Sequence, residues 1–231
     1  MNLTSWFRTP AGEALRLAES RVLVAETSLL SGEVLVWASI FDPIDNWQAL
    51  SRARLNVWQA LERKTIAARH DACVVGQLSS LPYATGAVDA LIIQYGFEEV
   101  SDLSAAISET ARVLRNGGHA LVLLLDPWSG LGIRSLLGKL PSTALSESVA
   151  IECRRLLPAF SIKLQFRAHG LSCERESRIQ SEGAKARLLA FRKYEIAAVL
   201  PTPRHEAREP GSIGLVPASR TSSAYQCDKS S

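Results

Sequence analysis

The stretch "ARVLRNGGHALVLLL", residues 111–125, limits the fold more tightly than any other part of the chain. Upstream of it Leu103, Ala106, Ile107, Thr110, Ala111 and Leu114 recur at helical spacing, with Ser101 or Asp102 at the capping position. Asn116-Gly117-Gly118 then stops the helix, because the left-handed residue that closes one is usually Gly and sometimes Asn. The run after the glycines, "HALVLLL", is apolar without alternation, as a strand covered on both faces is. A helix that runs straight into such a strand is the turn of an α/β unit, so a parallel sheet with helices on both sides is expected.

Other segments extend the pattern. Thr9-Pro10 starts a helix over about 10–30, and "EVLVWASIF", Glu33 to Phe41, reads as the first strand between Gly32 and Asp42-Pro43. A short helical piece over 45–54 precedes "LNVWQAL", which is a second strand or more helix; a seven-residue apolar run does not separate the two, and strand is preferred. "DACVVGQ" and "VDALIIQYG" are further strands. Residues 133–170 read as largely helical, with Pro158 at a helix boundary and Gly170 closing the last turn; "LSCERESRI" and "KYEIAAVL" read as two more strands.

Composition narrows the class. Lys plus Arg at 26 against Asp plus Glu at 23 gives a formal charge of +3, too small and too dispersed for a nucleic-acid surface. Cys73, Cys153, Cys173 and Cys227 form no CxxC pair and suggest neither a metal site nor a disulfide framework, so a reducing cytoplasm is expected. No apolar stretch reaches the roughly 18 residues of a membrane span. Beyond Pro201 the chain is rich in Pro, Ser and Arg with no period, and 203–231 is expected to be a disordered tail behind an N-terminal helical extension (1–32) and one α/β domain (33–202).

Several motifs carry a resemblance. "LSSLPYATGAVDALIIQYGFEEV" and "AISETARVLRNGGHALVLLLDPWS" resemble the type 11 branch of class I S-adenosylmethionine-dependent methyltransferases. The matching elements are the Leu81-Pro82-Tyr83 turn, Asp89 opening a strand, and Glu109, Arg112, Val113, Leu114, Gly117 and Gly118 in the Glu-x-x-Arg-Val-Leu-x-x-Gly-Gly segment. The resemblance implies a three-layer Rossmann-like class I methyltransferase fold with a mostly parallel sheet, S-adenosylmethionine as cofactor and a small-molecule acceptor or a protein partner. It also implies a glycine turn after the first strand, an acid at the end of the second and an acid after the third. This sequence departs at all three: "VWASIFDPID" has no glycine, Trp58 and Gln59 stand where the second strand is expected to end, and Gln77 follows the third.

In an open parallel sheet, ligands bind beyond the carboxyl ends of the strands where strand order reverses. Ser39, Asp42, Gln77, Leu78, Gln94 and Tyr95 are therefore the cofactor-side candidates, and Asp126 and Trp128 the acceptor-side ones. Each has a bland reading: Asp42 and Asp126 precede Pro as ordinary turn residues, Gln77 is a polar strand end, and Tyr95 is a core tyrosine in need of a partner. Glu109 and Arg112, three apart on one helix, are read as a structural pair. His70, His119, His169 and His205 have no mutual spacing and receive no role. Two functions remain open: methyl transfer from S-adenosylmethionine, and a cofactor-free methyltransferase-fold protein that binds or regulates. A nicotinamide-dependent oxidoreductase is disfavoured because it too needs the missing glycine turn. Limited proteolysis is expected to trim the chain beyond about Pro203 and leave a stable core; slow amide exchange across 205–225 would contradict the tail assignment.

Overall fold

The apolar runs become strands β1 (Ser31–Ser39), β2 (Arg52–Ala60), β3 (Cys73–Val75), β4 (Val88–Gln94), β5 (Leu114–Leu125), β6 (Leu171–Ser181) and β7 (Ala184–Lys193). They come from a computed structural model that describes residues 2–42, 47–50, 52–61, 73–129, 156–181 and 184–194. The seven strands form one sheet in the order β3-β2-β1-β4-β5-β7-β6. β3, β2, β1, β4 and β5 run parallel, while β7 pairs antiparallel with β5 and β6. Every residue of β4 is buried, which is why "VDALIIQ" shows no alternation.

Helices cover both faces. On one side α1 (Leu3–Trp6) and α2 (Pro10–Thr27) set Leu3, Trp6, Leu15 and Leu23 against Trp37, Trp58 and Tyr95. On the other, α4 (Leu103–Val113) and α5 (Ala159–Ala168) pack Ile107, Ile162 and Phe166 against Val36, Leu91 and Val122; the one-turn α3 (Trp47–Leu50) precedes β2. Thr9 caps α2, its Oγ1 accepting from the Gly12 amide at 3.3 Å with Pro10 at the first helical position, as expected. Pro158 precedes α5, and Gly170, at φ +79°, lies just past its end.

Three boundaries differ from expectation. α4 ends at Val113, and Leu114 is already extended, so Asn116-Gly117-Gly118 lies inside β5 instead of capping the helix. The pairing of β4 with β5 shifts there: Val88 faces Leu114 and Ala90 faces His119, so residues 115–118 bulge opposite Asp89. Gly117 keeps a left-handed φ of +78°, and a Cβ on Gly118 would stand 2.9 Å from the Asp89 carbonyl oxygen. β2 runs to Ala60, which places Trp58 and Gln59 within the strand and Leu61 just past it. β7 is "AKARLLAFRK", whose apolar face is hidden in the sequence by small Ala184 and Ala186 alternating with Lys185 and Arg187; of the strand expected at "KYEIAAVL", residues 195–200 lie outside the described residues. The helix expected over 133–155 and the tail over 203–231 lie outside the described residues.

Asp89 clasps the two central strands together. Its carboxylate accepts from the Glu33 and Val34 amides at 2.7 and 2.8 Å, and it pairs with Arg115 in the bulge at 2.5 Å. Glu109 and Arg112 clasp the Leu-Pro-Tyr turn: Arg112 donates to the Leu81 and Tyr83 carbonyls at 3.1 and 2.9 Å, and Glu109 accepts from the Leu81 amide at 3.0 Å. Both pieces of the motif are structural.

A polar cluster ties α2 to the end of β4. Glu19, buried in the core, accepts from the Tyr95 hydroxyl and, at 3.4 Å, from the Gln94 amide; Gln94 in turn accepts from the Trp37 indole at 3.1 Å. Burial pushes the Glu19 carboxyl from its ordinary value of 4.5 up to about 8. The same cause pushes Glu98 up to about 8; its Oε1 accepts from the Leu125 amide at 2.8 Å and its Oε2 has no hydrogen-bond partner among the described residues.

These contacts lead to two stability outcomes. Asp89→Ala strands two amides and Arg115, and should cost about 2 to 4 kcal/mol in urea denaturation; an unchanged midpoint would mean that the clasp is dispensable. Between the unfolded value of 4.5 and the folded value of about 8, the folded chain holds a proton on Glu19 that the unfolded chain has released. Stability from this group therefore falls as pH rises through that window, by up to about 1.4 kcal/mol per pH unit. Glu19→Gln keeps an acceptor for Tyr95 and removes the titration, so its advantage over the parent should grow from about pH 5 to about pH 8 in thermal unfolding. A constant difference across that range would show that Glu19 is ionised in the fold.

Candidate functional site

Strand order reverses between β1 and β4, and the crevice at their carboxyl ends is where the sheet leaves room for a ligand. A cavity of about 250 Å³ lies there. Ile40 after β1, Leu61 after β2, Leu78 after β3 and Val100 before α4 form its apolar walls. Gln77, Ser79, Ser101, Glu99 and the Gly96 backbone add its polar groups. Each comes from a loop that succeeds a parallel strand, or from the approach to α4, so the topology alone collects them.

Of the sequence candidates, Gln77 and Leu78 line this cavity, Gln77 on its exposed rim and Leu78 buried beneath. Ser39 is buried below the floor, where its hydroxyl donates to the Phe41 carbonyl and accepts from the Trp58 indole at 3.1 Å. Asp42 is half-buried; its carbonyl accepts from Arg16 at 3.3 Å, and its Oδ1 has no hydrogen-bond partner among the described residues. Gln94 and Tyr95 do not reach the cavity. Tyr95, at φ +56°, turns its ring toward the α2 face, where Glu19 holds it. Asp126 ends β5 in a local turn, accepting from the Trp128 amide at 3.0 Å and pairing with Arg187 at 3.0 Å. Trp128 is 73% exposed, and it lines two other cavities, of about 160 and 260 Å³, with Asp126 and Arg187.

Sequence reasoning missed Leu61, Gly96, Glu99 and Val100, because a residue's place past a strand end cannot be read before the strand's register is known. It also missed Phe7. The Phe7 ring lies 4.9 Å from Phe41 and 4.7 Å from Tyr95, and the Arg16 guanidinium stacks over Phe41 at 4.7 Å. Three buried aromatic rings thus fill the space beside the turn after β1.

S-adenosylmethionine, the cofactor that the resemblance implies, fits these residues in part. The cavity has an apolar slot and a Gln77 amide for a base, and its volume falls below the roughly 300–1,000 Å³ of ordinary small-molecule sites. The turn after β1, Ile40-Phe41-Asp42, brings side chains where a glycine turn leaves bare backbone, and no Lys or Arg is among the described residues lining the cavity.

Comparison with known proteins places the chain. Residues 48–122 match the methyltransferase domain family. Over 56 residues the chain is 45% identical to demethylmenaquinone methyltransferase of Mycolicibacterium vanbaalenii, covering 24% of this chain and 25% of that protein. Over 60 residues it is 40% identical to the enzyme of that name from Beutenbergia cavernae, covering 25% of each. The chain therefore spans about a quarter of the length of the curated relatives it matches. Similar solved structures include a SAM-dependent methyltransferase from Thermotoga maritima, with a TM-score of 0.59 at 19% identity over 82% of this chain and 94% of that one. Magnesium protoporphyrin IX methyltransferase from Synechocystis with bound SAH gives 0.58 at 14% identity over 80% and 88%. The cyclase SpnF gives 0.57 at 17% identity over 81% and 84%. The family match runs from α3 into β5, and the chain shares the class I S-adenosylmethionine-dependent methyltransferase fold with these structures over most of its length.

Proposed function

We propose that this chain is a methyltransferase-fold protein that holds S-adenosylmethionine too weakly for efficient methyl transfer and acts as a ligand-binding or regulatory subunit. One observation carries the reading: Phe7, Phe41 and Tyr95 interlock beside β1, where the family's glycine turn would admit the cofactor's amino-acid end. The cofactor, when bound in this family, supplies an electrophilic methyl group, and the protein contributes mainly position. Here the described residues supply position for the adenosine end alone. The fold does not decide the chemistry, since a cyclase shares it.

A second reading, methyl transfer to a small-molecule acceptor, is favoured by the placement of the cavity at the switch point and by Asp126 and Trp128 beyond β5. Titration calorimetry of the full chain with S-adenosylmethionine separates the two. A lost charged hydrogen bond to the amino-acid end is worth about 1.5 to 3 kcal/mol, or roughly 10- to 150-fold in affinity. Binding weaker by at least that much than in a methyltransferase with an intact glycine turn is the expected result. Low-micromolar binding, with methyl transfer to any acceptor, overturns it.

A further inference from the structure

We infer that the outer edge of β6 docks a second copy of this chain, whose own β6 pairs antiparallel to it about a two-fold axis at Ser177 and carries the sheet across both molecules. The inference is independent of what the cavity at the strand ends binds. β6 closes the sheet on one side: it pairs with β7, and no other strand among those described lies beside it. At 11 residues it is long for an edge, whose unpaired amides and carbonyls are a template for another strand.

Edge strands are commonly blunted by a bulge or by lysines. In β6 the bulge comes early, between Cys173 and Arg175, and residues 175–181 keep an unbroken register with β7. The exposed charges of that stretch, Arg175, Glu176 and Arg178, are of both signs. In a two-fold antiparallel pair the facing residues point to the same side of the sheet, so one residue lies on the axis opposite its own copy. Arg175, Glu176 or Arg178 on the axis sets like charges face to face, which disfavours those registers. Ile179 on the axis sets Arg178 against Gln180 and gains no ion pair. Ser177 on the axis sets Glu176 of each copy opposite Arg178 of the other, so charge selects this register.

The surroundings fit the same pairing. Within its own sheet Arg178 stands opposite Arg187, a like charge that an acid from a second copy offsets. Glu176 accepts from Lys163 and Arg187 at 2.5 and 2.7 Å, and its two oxygens have lone pairs for a further donor. α5 lies against β6 through the Lys163–Glu176 pair. Phe160 and Leu164, three residues before Lys163 and one after it, are 73% and 69% exposed, and Phe160 lines a cavity with Lys163 and Glu176. Large apolar side chains bordering an open edge are surface that a second copy covers with its own α5.

Sedimentation velocity on the full chain tests the pairing. The expected mass is twice the 25.1 kDa of one chain; a single-chain mass throughout the micromolar range overturns the inference, whatever else covers β6. Arg178→Glu turns both ion pairs into like-charge pairs while giving Arg187 an acid to face, so it should keep the parent's thermal midpoint and weaken self-association at least about tenfold. An unchanged dimer constant overturns the assignment. Ser177→Cys sets two thiols across the axis, where facing Cα atoms of an antiparallel pair lie about 4.5 to 5.5 Å apart, within disulfide reach. Under copper–phenanthroline oxidation it should run as a linked dimer on a non-reducing gel. Gln180→Cys, whose two copies stand about 20 Å apart in this register, should run as the parent does. A dimer by mass without the Ser177 link, or with Gln180 linking as readily, puts the contact elsewhere and overturns the inference.

Discussion

Burial of β1, β4 and β5 on both faces is the constraint on which the rest of the structure depends. Strands without a wet face have to be joined by crossovers that pass over the sheet; such connections put α4 and α5 on one face, while α2, which precedes β1, covers the other. With the strands parallel, the loops that leave them gather at one edge. Ile40, Leu61, Gln77 and Gly96 meet there although 56 positions separate the first from the last. The Asp89 carboxylate fixes β1 to β4 from the opposite edge, and so sets the height at which those loops emerge.

The motifs that carry the resemblance and the residues around the cavity are separate sets. Asp89, Glu109, Arg112 and Gly118 hold strands, a turn and a bulge in place, and each is engaged by backbone groups or an ion pair. The turn after β1 has Ile40 and Phe41 packed into the core. Glu19, its carboxyl pushed up by burial, holds the Tyr95 hydroxyl on the α2 side of the sheet.

Much of the architecture was legible in the sequence. The unbroken runs "VDALIIQ" and "HALVLLL" announced strands covered on both sides, and Thr9-Pro10 announced the start of α2, because these signals are local and arise from backbone propensity and periodicity. The Glu109–Arg112 pair was legible for the same reason, being three apart on one helix. The helix stop at Asn116-Gly117-Gly118 was misread: those residues answer to Asp89 across the sheet and not to the helix before them.

The sequence by itself determined the class of fold and the resemblance to the methyltransferase domain family, since each is written in residue types at fixed spacing. Tertiary structure alone decided which side chains share the cavity. Gln94 and Tyr95 were drawn to the α2 face because Glu19, 75 positions from Gln94, needed polar partners in a dry core. Leu61 and Glu99 were brought to the cavity by strand ends whose positions depend on register with neighbouring strands. Contacts between residues this far apart in the chain leave no trace in local pattern, because what selects them is the packing of one layer on another.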